Sequence, residues 1–194
     1  MGEFSMIRSW RSMLDESLAA ARDEPTARYL QLATIGLDGR PANRTVVFRG
    51  FRPDSDDLLI ATDARSSKVI EIERTPYVEA CWYFVKTREQ YRLGATVVRV
   101  KSDDTTYATS RMDLWQSLAD AVRMQFTWPE SGSDWVDERA FLASPPDREQ
   151  PPDTFMLLVL NVETVDYLSL RNDPPLRLSF HPATNRSDCQ RINP

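Results

Sequence analysis

The sequence predicts a mainly β protein with flanking helices, in which a largely antiparallel sheet closes into a barrel. Three observations lead there. Seven or so short apolar segments are punctuated by turn signals. Few of them are separated by helical stretches long enough for a parallel crossover. Aromatic residues are scattered through the strands, and a sheet of this size tends to curl shut with helices on its outside or plugging its ends.

Taken in order, Ile7, Trp10, Leu14, Leu18 and Ala21 share one helical face, and Asp23-Glu24-Pro25 stops that helix. Residues 29–37 read as a strand, and Asp38-Gly39 is a hairpin turn because both positions tolerate positive φ. The returning strand runs to Phe51, a turn follows at 52–56, and 58–61 form a short apolar strand. A helix is expected over about 66–74, ended by Pro76. Residues 77–85 and 89–100 read as two long strands joined by Lys86-Thr87-Arg88. Ser110 with Asp113 resembles a capping box. The helix it would open carries Leu114, Leu118, Ala121, Val122 and Gln125 on its inner face, and Trp128-Pro129 closes it. A short helix over about 134–143 leads into 144–152, where four prolines forbid ladder bonding and dictate an exposed loop. Strands are expected at 154–162, 164–170 and 176–180.

At 194 residues the chain suits one well-buried domain, here 6–194, with residues 1–5 reading as an expression leader before Met6. A net charge of −5 argues against nucleic acid or an anionic membrane as the main partner, so any anion site must be local. Cys81 and Cys189 lie far apart without metal-ligand spacing. No apolar run approaches the roughly 20 residues of a membrane span. No signal pattern opens the chain, so the cytoplasm is the natural compartment. Without a secretory route, the sequons at Asn43 and Asn185 read as chance.

The segment Arg44-Thr45-Val46-Val47-Phe48-Arg49 is a β-branched run bracketed by guanidinium groups. Close behind it, Thr62, Ser66, Ser67 and Lys68 surround the start of a helix, whose free N–H groups and dipole favour an anion. Together they suggest a phosphate cradle. Arg44 and Arg49 fall on opposite faces of a regular strand because their separation is odd. Either one strand serves two anionic groups, or only one arginine is functional, or both are solvated rim residues. Gln90 offers a donor and an acceptor to a heteroaromatic edge. Tyr107 and Arg111 suit a second phosphate or simple surface capping. Gln125, on an inward face, needs a partner from a ligand or a carbonyl. His181 is the only histidine, too little for a histidine metal site or a nucleophilic triad. Neither a dinucleotide fingerprint nor a P-loop is present. Chemistry without a nucleophile or metal points to an organic cofactor.

These segments, in this order, resemble the pyridoxamine 5′-phosphate oxidase-related family of FMN-binding split barrels, closest to its cyanobacterial and plant-type branch. The motifs that carry the resemblance are Arg44-Thr45-Val46-Val47-Phe48-Arg49-Gly50-Phe51 and Thr87-Arg88-Glu89-Gln90-Tyr91-Arg92, and it covers about Trp10 to Phe180. It implies a split β-barrel homodimer with FMN at the subunit interface. It assigns Arg44 to the flavin phosphate and the Thr45-Val46-Val47 backbone to the flavin. Ala61, Thr62, Ser66, Ser67 and Lys68 would complete the phosphate site. Gln90, Gln125 with Phe126, Tyr167 and Arg177 would meet the flavin elsewhere. Arg49, Tyr107 and Arg111 would face the substrate.

The substrate side departs from the family pattern. Arg49 replaces a lysine, and Ser67 replaces a phosphate-binding arginine for which Arg65 offers compensation from the same turn. The oxidase's Arg-x-His element falls at Asp173-Pro174-Pro175, which has neither a guanidinium nor an imidazole. The resemblance therefore implies an FMN-dependent oxidoreductase with a small substrate at the flavin face. Oxidation of pyridoxine or pyridoxamine phosphate, flavin reduction by a nicotinamide or deazaflavin donor, and a non-catalytic flavin-binding role remain as alternatives.

Overall fold

The computed structural model describes residues 8–182 and 189–194. Ile7, the leader with Met6 and the Asn185 sequon lie outside the described residues. Eight strands form one antiparallel sheet in the order β3-β2-β1-β4-β5-β6-β7-β8, and a further β3–β6 pairing closes six of them into a barrel. The ring consists of β1 (Tyr29–Ile35), β2 (Pro41–Phe51), β3 (Leu58–Asp63), β4 (Tyr77–Phe84), β5 (Glu89–Val100) and β6 (Phe155–Ser169). β7 (Leu176–Phe180) and β8 (Cys189–Ile192) extend the sheet beyond β6. Helices α1 (Trp10–Ala20), α2 (Ser67–Arg74), α3 (Ala108–Ser117) and α4 (Asp120–Met124) flank it.

Burial explains the apolar runs. In β3, Leu58 and Ile60 point into the barrel while Leu59 joins a second core beneath α3. β6 repeats this, with Met156, Leu158 and Leu160 inside and Phe155, Leu157 and Val159 outside. A strand covered on both faces loses the apolar–polar alternation. Inside the barrel an unbroken series of rings runs Trp10–Phe51–Phe48–Trp82–Phe84–Tyr91–Tyr167, with neighbouring centroids 4.8–6.4 Å apart. Trp82 sits at its middle, fully buried, with its indole N–H on the Ala27 carbonyl at 2.9 Å.

Several expectations need correction. The strands expected at 154–162 and 164–170 are one, β6, because Glu163 bulges between Val162 and Thr164 and pairing continues past it. The helix expected to run through 110–127 is two helices: Leu118 and Ala119 are extended, which resets the helical phase. Leu114 and Leu118 are buried as expected, but Ala121 and Gln125 are exposed and Arg123 is buried instead. Ser110 lies within α3, whose N-cap is Tyr107 without a side-chain cap bond, so the capping-box reading fails. The helix expected at 134–143 shrinks to a 3-10 turn, Glu138–Phe141. The proline-rich loop is stapled to α3 by Trp115 Nε1 on the Asp147 carbonyl (2.9 Å) and Arg148 Nη2 on the Gln116 carbonyl (2.7 Å). β8 had no sequence counterpart.

Replacing the middle ring of the series tests the core. Trp82→Ala is expected to cost about 3–5 kcal/mol in reversible denaturant unfolding. A loss under about 1 kcal/mol would mean that the ring series does not carry the barrel's stability.

Candidate cofactor site

β2 organises the site by its alternation. Val46 and Phe48 point into the barrel core, whereas Thr45, Val47 and Arg49 lie on the opposite face. The pairing with β3 slips between Phe48 and Gly50, leaving Arg49 as the extra residue of a bulge. A cleft of about 330 Å³ opens on that face. It is lined by Thr45, Val46, Val47 and Arg49 of β2, Ala61 and Thr62 of β3, Ser66 and Lys68 at the head of α2, and Gln125 and Phe126 after α4. Asp63, Val122, Trp128, Pro129 and Ser131, which sequence reasoning missed, complete the wall. Ten expected residues thus come together, by this roll, from four separated segments.

At one end the cleft is built for an anion. Lys68 Nζ donates to Thr62 Oγ1 at 3.0 Å, and Thr62 Oγ1 lies 3.4 Å from Ser66 Oγ. Ser66 N-caps α2 by backbone conformation alone; its hydroxyl donates to the Asp63 carbonyl at 2.7 Å. Burial lowers the Lys68 pKa, repulsion from Arg44 lowers it further, and Asp63 and Glu71 pull it back. Elsewhere in the cleft wall, Arg49 Nε and Trp128 Nε1 are buried without a hydrogen-bond partner. Such an orphan costs about 1–3 kcal/mol unless a ligand or water satisfies it. Burial also lowers the Arg49 pKa, with Arg28 adding repulsion.

The remaining expected residues lie elsewhere. Arg44, on the other face of β2, is engaged with Glu71 (2.6 Å) and Thr34 and does not line the cleft. Ser67 is exposed in the first turn of α2. Arg65 is held by Asp63 (2.5 Å) and the Trp128 carbonyl (2.9 Å), so it braces the cleft wall and is not free to replace an arginine at position 67. Arg111 is buried and donates to the Phe155 and Pro152 carbonyls at 2.9 and 3.2 Å. Tyr107 packs against the second core. These two therefore tie α3 to β6 and present no cationic subsite in the cleft.

Gln90 and Arg177 sit on the other side of the molecule's strand order, on β5 and β7. Their cross-strand partner on β6 is Leu168: Gln90 pairs with Leu168 and Leu168 with Arg177. Paired residues share a face. Tyr167 points the opposite way, buried against Tyr91 with its hydroxyl on Glu89 Oε1 at 2.8 Å. Burial, then the Glu89 bond, pushes its pKa up to about 12. Tyr167 thus stands on the face opposite Gln90 and Arg177, so these three expected residues do not share one surface. Arg177 itself is held by Asp166 through two bonds of 3.0 and 2.6 Å, which keep the Asp166 carboxyl below its ordinary range.

Residues 7–100, which contain β1 to β5 and most of the cleft, match the family described as pyridoxamine 5′-phosphate oxidase, FMN-binding domain. An Arabidopsis thaliana protein named pyridoxine/pyridoxamine 5′-phosphate oxidase 2 is 35% identical, over 97% of this chain and 98% of its own. The chain belongs to this FMN-binding family. A pyridoxamine 5′-phosphate oxidase-related, FMN-binding protein from Nostoc punctiforme shares the fold with a TM-score of 0.93 and 42% identity, covering 97% and 99% of the two chains. PhzG from Burkholderia lata, solved with tetrahydrophenazine-1-carboxylic acid, matches at 0.78 with 19% identity over 98% and 95%, which speaks for the fold alone. Among the described residues no helix is long and apolar enough to cross a membrane, and no metal-ligating cluster is found.

The residues present fit FMN. The Lys68–Thr62–Ser66 group suits a phosphate, and the two orphaned donors suit a polar, ring-bearing ligand. Lys68 must carry its proton to hold a phosphate. Because its pKa is lowered, the affinity for FMN relative to riboflavin is expected to fall with rising pH from below the ordinary lysine value of about 10.4. Lys68→Arg, permanently charged, is expected to flatten that profile. Fluorescence titration of both flavins across pH reads the ratio, and a wild-type ratio constant to about pH 10 removes Lys68 from the site.

Proposed function

We propose that the protein is an FMN-dependent oxidoreductase acting on a small molecule held against the flavin in the cleft. FMN, when bound, supplies the two-electron acceptor. The chain's own groups bind and orient: Lys68, Thr62 and Ser66 take the phosphate, the β2 backbone at Thr45–Val47 lies along the flavin, and Gln125 and Phe126 border it. Arg49 is the free cation for an anionic substrate group. The observation that carries this reading is the cleft itself, with a phosphate-type cradle and unsatisfied buried donors in one wall.

The working unit on this reading is a homodimer. Tyr83, Gln90, Leu168 and Arg177 form one row across β4–β7, and none lines the protomer's own cleft. The adjoining outer face exposes Tyr29, Ile35 and Tyr77. A partner laid on that face would bring the row to its cleft and cover the apolar surface.

A second reading, oxidation of pyridoxine or pyridoxamine 5′-phosphate, is favoured by the full-length likeness to the Arabidopsis protein. Asp173-Pro174-Pro175 between β6 and β7 and the buried Arg111 weigh against it.

The purified protein is expected to be yellow and to release FMN on denaturation. Lys68→Ala should lower FMN retention by about tenfold or more, from a charge-assisted bond of about 1.5–3 kcal/mol; Arg44→Ala should lower it as well, by leaving Glu71 buried without its counter-charge. Arg148→Ala, in the proline-rich loop, should not; equal retention in all three displaces the cradle. Aerobic assay of the FMN-loaded protein with pyridoxamine phosphate separates the two readings, since turnover to pyridoxal phosphate establishes the second. Anaerobic mixing with reduced nicotinamide or deazaflavin donors then tests the first, and a flavin bleached by no donor or substrate leaves only a binding role.

A further inference from the structure

Behind the cleft wall, three side chains from β1, β2 and α2 close a ring. Glu71 is the only carboxylate among the buried polar residues described. Its Oε2 accepts from Thr34 Oγ1 and from Arg44 Nη2, both at 2.6 Å. Arg44 Nη1 in turn donates to the Thr34 hydroxyl. Lys68 stands three residues before Glu71 on the same helix, with its ammonium on Thr62 in the cleft. Arg44 repels the Lys68 charge and Glu71 attracts it. Two partly desolvated cations this near each other are unfavourable without a counter-charge.

We propose that Glu71 stands in for the ligand's phosphate: it offsets one of the two charges of Arg44 and Lys68 in the ligand-free protein, so that the cradle is assembled in advance but grips its anion less tightly than its cations alone would. The inference rests on the cleft being the FMN phosphate site. Arg44 then acts mainly by cancelling Glu71. Deleting Arg44 alone leaves a buried anion facing the phosphate, which is worse than deleting both. A merely structural Glu71 would affect both flavins alike, so the ratio of FMN to riboflavin affinity isolates the charge effect.

Glu71→Gln removes the charge and keeps an amide oxygen that accepts from both Thr34 and Arg44. The FMN-to-riboflavin affinity ratio, measured by fluorescence titration, is expected to rise about fivefold or more. The ligand-free variant is expected to melt below wild type. In the Arg44→Ala background, which lowers the ratio, adding Glu71→Gln should recover about tenfold of it. An unchanged or lower ratio in Glu71→Gln overturns the proposal, as does a double variant no better than Arg44→Ala. If Glu71→Gln alone is too unstable to purify, the double variant carries the test, because it buries no lone charge. Lys68→Ala distinguishes the two levels of the argument. If it leaves the ratio unchanged, the cradle is misplaced; if it lowers the ratio while the Glu71 variants fail as above, only the role of Glu71 is wrong.

Discussion

Closure of the barrel through β3 is the constraint on which the other features depend. β3 has six residues and is paired along both edges, with β2 on one side and β6 on the other. A strand so placed has no free edge and no wet face until its last residues. Leu58, Leu59 and Ile60 are buried, and only at Ala61, Thr62, Asp63 and the turn beyond does the chain reach the cleft. Thr62 therefore stands on a doubly paired strand, and Ser66 follows three residues past its end as the N-cap of α2. Lys68 lies in the first turn of α2, whose Val69 and Ile72 anchor it in the barrel core. The position of the anion-binding group is set by backbone pairing, with little left to loop conformation.

Most of this architecture was legible because local signals and tertiary demands agree. Asp38-Gly39 sits in the β1–β2 hairpin turn, residues 91–97 of β5 alternate cleanly, and Ser66 caps α2. The failures occur where tertiary packing overrides local pattern. Residues 108–127 contain apolar positions at helical spacing across a break, and the spacing alone cannot show that Leu118 and Ala119 turn extended. The break lets Arg123 reach the Leu118 carbonyl at 2.7 Å, a contact that a continuous helix would satisfy internally. Arg111 was misread for a related reason. A guanidinium near a helix start looks like an anion ligand, but here it satisfies the carbonyls at the point where β6 enters the sheet.

The separation of Tyr167 from Gln90 and Arg177 has a different origin. The family resemblance assigns all three to the flavin, but resemblance along the chain does not state which face of the sheet each residue takes. Strand pairing does state it. Gln90, Leu168 and Arg177 are fixed as neighbours by hydrogen bonding, and Tyr167 is fixed on the other face as the last ring of the interior series. Glu89 belongs to the same inward face and accepts from both Tyr167 and Ser17, which ties α1 to the two strands beside the outward row.

Charge balance connects the overall composition to the site. The protein is acidic, yet its cleft needs positive charge, and the structure meets this by pairing nearly every cation in the region locally. Arg65 is spent on Asp63 and Arg44 on Glu71. Among the described residues, the two cations that line the cleft, Lys68 and Arg49, carry no carboxylate ion pair. Burial lowers the pKa of each, so an incoming anion relieves a desolvation cost already present in the free protein. Selectivity for a phosphate-bearing ligand then follows from where charge is left uncompensated. The number of arginines in the motif is a poor guide to it, because an arginine with a buried carboxylate at 2.6 Å contributes little net field to a ligand on the far side of the strand.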